Sequence, residues 1–409
     1  MRSSRLRAVA KQSLAWLGSR PWSRALGMAL VHRLNRRTFA RLRATPGVHQ
    51  VLVRGSFARG DFVPLASDVD LALVLSPAGQ RFFEQILALH RSLRQVRRRN
   101  PSVRDWWHHL ILTSELPVVE TFSDLYAAHE WRDENGQPTA PRSDWIDAGL
   151  RAAAAWSQLC LWSGSAFHGF LHPHERVHDF EAGVRKTLRF ADRLGVRVAL
   201  PSRPGAGRRE VLVAVFRAIE QSAERVLVGA AAAGENAGAS RSPSAPPPGI
   251  LRTERACFVL LAGGLGDAEL SDRFADLARR ELPAAAVTYV LPAPAIAIWP
   301  FPAEPVLSGA PPPAMPLPLA REIHLFEALF LPSALRLALS FADANARLGR
   351  VVAALERALH LYGDGAPPGP PLGSDTRALF DHGSALCASL QEALLAFAAA
   401  RKAGGKAPA

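Results

Sequence analysis

Two apolar runs with strand character, VHQVLVR at 48–54 and SDVDLALVL at 67–75, flank a glycine-bearing turn and a loop, and the second run opens on Ser-Asp-Val-Asp. In a strand, alternate side chains share a face. Asp68 and Asp70 therefore point one way, and Val69 and Leu71 point into a core. Two bare carboxylates side by side repel, and burying them unpaired costs several kcal/mol. A hard divalent cation removes that cost. Mg²⁺ takes one or two protein carboxylates and completes its shell with phosphate oxygens and water. Upstream, Gly55 lets the backbone turn tightly and approach a ligand closely. Ser56 offers a hydroxyl and a backbone N–H to a phosphate, and a helix beginning here would favour an anion further. Arg59 adds a charge-assisted contact. The expectation is a metal-and-phosphate site, with Gly55, Ser56 and Arg59 on nucleotide phosphates and Asp68 and Asp70 on Mg²⁺ or Mn²⁺.

Around this stretch the pattern reads helix, strand, turn, strand, helix, strand. RRTFARLRATP at 36–46 is a helix ended by Pro46 and Gly47. QRFFEQILALHRSLRQVRRR is an amphipathic helix with a basic end, and WWHHLILTS at 106–114 is a third strand. From Ser143, read as an N-cap, the chain turns helical, and Gly195 stops a second helix. A Pro/Ser/Gly-rich linker follows. RACFVLLAGG, AELSDRFADLARREL and AAVTYVLPAPAIAIWPF, the last a strand broken by prolines, then read as a second small α/β stretch, and helices with a break near Pro332 close the chain. The predicted segments are a basic helical 1–35, an α/β-patterned 36–142, a helical 143–232, a linker 233–250, a small α/β 251–320, a helical 321–400 and a disordered tail 401–409. No repeat of fixed period is visible. The fold class is α+β.

The 409 residues carry a formal net charge of +13, with a sequence pI of about 10.8. That balance can serve a polyanionic partner, but the aromatic-basic pattern of an RNA module is absent. An arginine- and alanine-rich composition accounts for the charge without a dedicated patch. Cys160, Cys257 and Cys387 are far apart, which excludes a disulfide scaffold and fits a reducing cytoplasm. No uninterrupted apolar run reaches the roughly 18 residues of a membrane span. The N-terminus lacks the apolar run and cleavage site of a secretory signal. His168, His172, His174 and His178 include two pairs at helical i, i+4 spacing, but Pro173 separates them and a loop is the expected reading.

GSFARG followed by SDVDL resembles the DNA polymerase β-like nucleotidyltransferase superfamily, most closely its minimal and aminoglycoside-type heads. The resemblance covers about residues 36–115. It implies a small mixed-sheet nucleotidyltransferase head, followed here by a mainly helical region. It also implies ATP or another NTP as substrate, and transfer of a nucleotide, by default AMP, to a hydroxyl acceptor with release of pyrophosphate. The acceptor would be a small molecule, a protein or an RNA. By the same resemblance Asp68 and Asp70 are catalytic metal ligands and Ser56 touches phosphate. A third carboxylate belongs on the next strand; Asp105 takes that place by parity, with Glu120 second and His109 as an alternative base. The chain departs from the pattern at Arg54, where the family has an apolar residue. The alternative is a catalytically weak or inactive relative that keeps the fold for a regulatory or binding role, antitoxin-like or RNA-binding.

Overall fold

A computed structural model describes residues 21–60, 62, 68–100, 102–103, 109–133, 135–172, 180–201, 207–234, 248–253, 256–280, 282, 287–300, 306–309, 315–363, 365 and 375–403. It is an α+β protein with two small three-stranded mixed sheets. In chain order come α1 (Pro21–Arg43), β1 (Val48–Arg54), α2 (Gly55–Arg59), β2 (Asp70–Leu75), α3 (Phe82–Arg99), β3 (His109–Leu112), α4 (Leu116–Thr121) and α5 (Ser123–Tyr126). Then follow α6 (Ala148–Leu171), α7 (Phe180–Arg193), α8 (Arg208–Gly234), β4 (Gly249–Arg252), β5 (Ala256–Leu261), α9 (Asp267–Arg279) and β6 (Val287–Pro292). Last are α10 (Leu317–Ala338), α11 (Ala344–Tyr362) and α12 (Thr376–Lys402).

These elements form two compact units. One joins residues 1–146 to 329–408, and the other holds residues 147–328. In the first unit β1 pairs antiparallel with β2, placing Arg54 opposite Asp70. β2 pairs parallel with β3, placing Ala72 opposite His109. The βαβ crossover needs a covering helix. That helix is α3, whose Ile86, Leu89, Leu93 and Val96 are buried. Asn100, at the end of α3, donates to Asn35 Oδ1 at 2.9 Å and to Thr38 Oγ1 at 3.0 Å, which ties α1 to the head.

The far end of the sheet is closed by residues from the other end of the sequence. Arg336, 2% exposed, donates through Nη1 to Leu110 O at 2.5 Å and to Glu115 Oε2 at 2.8 Å. Its Nη2 donates to Glu115 Oε1, and Gln391 Nε2 donates to the same oxygen at 3.2 Å. Glu115 Oε2 also accepts the Leu112 N–H at 2.9 Å, and Ser333 Oγ accepts the Leu110 N–H at 2.9 Å. Burial opposes the Arg336 charge, but the Glu115 carboxylate beside it more than compensates and raises its pKa. His90 of α3 donates from Nε2 to Arg336 O at 2.8 Å.

Helix α10 runs through Pro332 without the expected break. A proline loosens the carbonyls of the preceding turn, and the Tyr126 hydroxyl donates to Leu329 O there. α12 is the one helix among the described residues long and apolar enough to cross a membrane, with a mean hydropathy of 1.3 over its best window. Its Phe380, Leu386, Leu390 and Leu394 are buried within the unit, and Phe380 meets Phe82 and Phe83 of α3 at 5.6 and 5.5 Å between ring centroids.

In the second unit β4 pairs antiparallel with β5, and β5 pairs parallel with β6 across α9. Strand for strand, this is the topology of the first sheet. Helices α6, α7 and α8 supply much of its core, with Trp156, Phe167 and Phe216 fully buried. Trp156 Nε1 donates to Ile298 O at 2.7 Å. The N-cap of α6 is Asp147, which accepts the Leu150 N–H at 2.8 Å. Ser143, expected at that cap, instead donates from Oγ to Thr121 O at 2.8 Å. Gly195 follows α7 at φ 73°, the left-handed stop the sequence announces.

Removing one partner of a buried ion pair leaves the other charge uncompensated. Glu115→Ala is therefore expected to destabilise the first unit by about 3–5 kcal/mol in denaturant unfolding, whereas Glu115→Leu with Arg336→Met loses far less. Burial lowers the pKa of His90 from 6.5. His90 thus stays neutral in the folded chain while the unfolded chain protonates it. Its cost to stability is absent above pH 6.5 and grows as pH falls below it, so His90→Gln is expected to flatten the acid limb of a stability–pH curve.

Candidate active site

β1 ends at Arg54, and α2 begins at once with Gly55 at φ 69°. A Cβ placed on Gly55 would lie 2.4 Å from Asp70 Oδ2. Only glycine lets this backbone rest against that carboxylate. Gly60 ends α2 in the left-handed region, and its N–H bonds to Phe57 O at 3.4 Å. Phe57 anchors the short helix against Phe62 and His32, at centroid distances of 5.1 and 5.2 Å. Ser56, next to Gly55, is half-buried.

Asp68 and Asp70 are half-buried, while Val69 and Leu71 between and beyond them are fully buried. The alternation is the one the strand pattern predicts. The Val69 N–H donates to Ser102 O at 2.7 Å, which fixes the chain just before β2. Gly55, Ser56, Asp68 and Asp70 thus come together at one end of the first sheet.

Arg59, at the end of α2, donates from Nη1 to Glu130 Oε2 at 3.0 Å on the surface. Asp105 lies outside the described residues. Glu120 lines a cavity of about 320 Å³ together with Gln50, Leu52, Trp131, Asp133 and Thr139. Gln50 and Leu52 share parity with Arg54 on β1, so the cavity opens along the sheet face that carries Arg54 and Asp70.

His109 is 5% exposed and is held among Phe330, Trp131 and Tyr126, at centroid distances of 4.9, 5.5 and 6.2 Å. Its Nε2 faces Arg54 Nη1. A guanidinium only donates, so Nε2 accepts and the ring proton sits on Nδ1. A ring so packed and so bonded is an anchor for Arg54 and not a free base. The sequence reading missed this contact. Its signal was Arg54 itself, a cation where the related pattern has an apolar side chain.

Among the described residues the second sheet has no such grouping of glycine, serine and carboxylates. Only three residues separate β4 from β5, which leaves no room for a Gly-Ser helix. In the β5–β6 register Phe258 stands opposite Tyr289, and the two rings stack at 5.0 Å and 8°. Trp299 meets both edge-on, at 6.3 and 5.3 Å. His168 and His172 are occupied on this sheet. His168 Nδ1 accepts the Thr288 N–H at 3.1 Å, and His172 Nε2 lies 3.4 Å from Thr288 Oγ1. His174 and His178 lie outside the described residues.

Among the described residues, no three His, Cys, Asp or Glu side chains gather to hold a metal ion. The Asp68–Asp70 pair still suits Mg²⁺, because a magnesium site built on one or two carboxylates is completed by substrate phosphates and water. The Asp70 carboxylate packs directly on the Gly55 backbone, where a Cβ would clash with it. No family model matches the chain, nor does any curated protein or solved structure.

Gly55→Ala and Gly60→Ala separate backbone strain from the clash with the carboxylate. Both positions have positive φ, but nothing lies within 4 Å of a Cβ on Gly60. Gly60→Ala is expected to cost about 1–2 kcal/mol in thermal unfolding, the left-handed penalty alone. Gly55→Ala is expected to cost measurably more and to displace Asp70.

Proposed function

We propose that the chain is a Mg²⁺-dependent nucleotidyltransferase that moves a nucleoside monophosphate, by default AMP from ATP, onto an acceptor hydroxyl. The observation that carries this reading is the approach of the Gly55 backbone to Asp70, with Ser56 beside it and Asp68 one strand repeat away. That is the residue set a triphosphate and a hard cation need together.

In this reading Ser56 and the Gly55 backbone receive the outer phosphates. Asp68 and Asp70 would hold the divalent cation, whose chemistry is to neutralise phosphate charge at the reacting phosphorus. The acceptor oxygen forms a bond to the α-phosphorus, and the bond from that phosphorus to the α,β-bridging oxygen breaks. Pyrophosphate leaves, and the hydroxyl proton passes to a carboxylate of the site. The cavity lined by Gln50, Trp131 and Glu120 offers room for an acceptor on the same sheet face. Rate enhancement would come from positioning and charge compensation.

The second reading is a catalytically weak or inactive module that binds nucleotide or a partner. Arg54 and His109 favour it, because they occupy the sheet face where the related enzymes gather their carboxylates.

The two readings part on label transfer. Purified protein with Mg²⁺, a cell extract as acceptor pool and each NTP labelled at the α- or γ-phosphate is expected to transfer α-label only. Asp68→Ala/Asp70→Ala is expected to lower that transfer by roughly 10²-fold or more. Transfer of γ-label would refute nucleotidyl transfer. Nucleotide binding without transfer of either label would establish the module.

A further inference from the structure

We infer that Arg54 is a built-in cation of this site, held in place by His109, and that it binds a phosphate oxygen of the nucleotide directly. The inference rests on the nucleotide-binding reading above and names the residue that recognises the anion.

The strand registers fix the geometry. Arg54 stands opposite Asp70, and Ala72 stands opposite His109. Residues directly opposite one another, and residues two apart on one strand, share a sheet face. Arg54, Asp70, Ala72 and His109 therefore lie on one face. To reach His109 on β3, the Arg54 side chain crosses β2 diagonally, from beside Asp70 over Ala72. The methyl group of Ala72, 0% exposed, is small enough to leave that lane open.

The far end of the lane is rigid. His109 is wedged among Phe330, Trp131 and Tyr126, and its Nε2 accepts from Arg54 Nη1. This bond requires a neutral ring, so the imidazole brings no charge of its own. The guanidinium is a planar fork of five donors. It can keep one arm on His109 and turn another to a phosphate oxygen, which a lysine ammonium does with less directional control. Arg54 is half-buried, where a charge-assisted bond is worth more than on the open surface.

The consequence concerns charge. Asp68 and Asp70 supply two negative charges, and a triphosphate adds more. A fixed guanidinium on the sheet face that carries Asp70 offsets part of that repulsion before any metal binds. Nucleotide affinity should therefore have a metal-independent part that depends on Arg54, and the aspartates should oppose that part. Arg59 cannot serve in its place while paired with Glu130.

Calorimetric titration of ATP into the full-length chain, once in EDTA and once in Mg²⁺, tests this. In EDTA, Arg54→Gln is expected to weaken binding tenfold or more, and Arg54→Lys to weaken it less. Asp68→Asn/Asp70→Asn is expected to strengthen binding in EDTA and weaken it in Mg²⁺. That reversal of sign would not arise from a structural defect. His109→Leu is expected to behave like Arg54→Lys, because it frees the guanidinium without removing its charge. Wild-type affinity of Arg54→Lys and Arg54→Gln in EDTA, or failure of the aspartate variants to reverse sign, would overturn the role of Arg54 and leave nucleotide binding standing. Absence of ATP binding by the wild-type chain in both buffers would overturn the nucleotide reading itself.

Discussion

The bond between Arg336 and Glu115 decides how the first unit is built. The two residues are 221 positions apart in sequence, yet they form a nearly solvent-free ion pair at the end of β3. Such a pair repays its desolvation only when further hydrogen bonds satisfy both ions. Here Leu110 O, the Leu112 N–H and Gln391 supply them. The three-stranded sheet is covered by α3, and residues of the C-terminal helices close the end of β3, while residues 147–328, which lie between in sequence, form a separate unit. The position of the strand end that carries Asp68 and Asp70 depends on this closure, because β3 aligns β2 in parallel register.

Much of this was legible as pattern. VHQVLVR, SDVDLALVL and the amphipathic run of α3 have clear periods, and the structure keeps them as β1, β2 and α3, with β2 beginning only at Asp70 so that Asp68 precedes it. RACFVLL, the helix after it and the strand at 287–292 were legible for the same reason. Gly55, Ser56, Asp68 and Asp70 were legible as a group because they sit within sixteen positions of one another, across a single turn. What was not legible depends on distant partners. Ser143 looked like a cap, but its hydroxyl is taken by Thr121 O and the helix starts at Asp147. Pro332 looked like a break, but α10 runs through it, and the Tyr126 hydroxyl donates to Leu329 O in the turn before it. The Arg54–His109 contact needs the registers of two strand pairs at once, which no local window holds. The repeated topology of the two sheets escaped for another reason. The two sheets share a topology but carry different side chains: Phe258, Tyr289 and Trp299 meet on the second, and Arg54, Asp70 and His109 share a face of the first.

That contrast gives the chemical reading its shape. On one sheet, polar groups converge at a strand end with an unhindered backbone beside them. On the other, Phe258, Tyr289 and Trp299 meet, and only three residues join the antiparallel strands. The same contrast weighs the two functional readings. The close packing of Gly55 on Asp70 is what the nucleotidyltransferase proposal rests on, while Arg54 and His109 on the same sheet face are what the binding-module proposal rests on.

The most direct test is diffraction at the manganese absorption edge from crystals of the full-length chain grown with Mn²⁺ and a non-hydrolysable ATP analogue. The account predicts an anomalous peak between Asp68 and Asp70, with the triphosphate running over Ser56. A peak elsewhere, or a nucleotide bound away from the end of the first sheet, would contradict it.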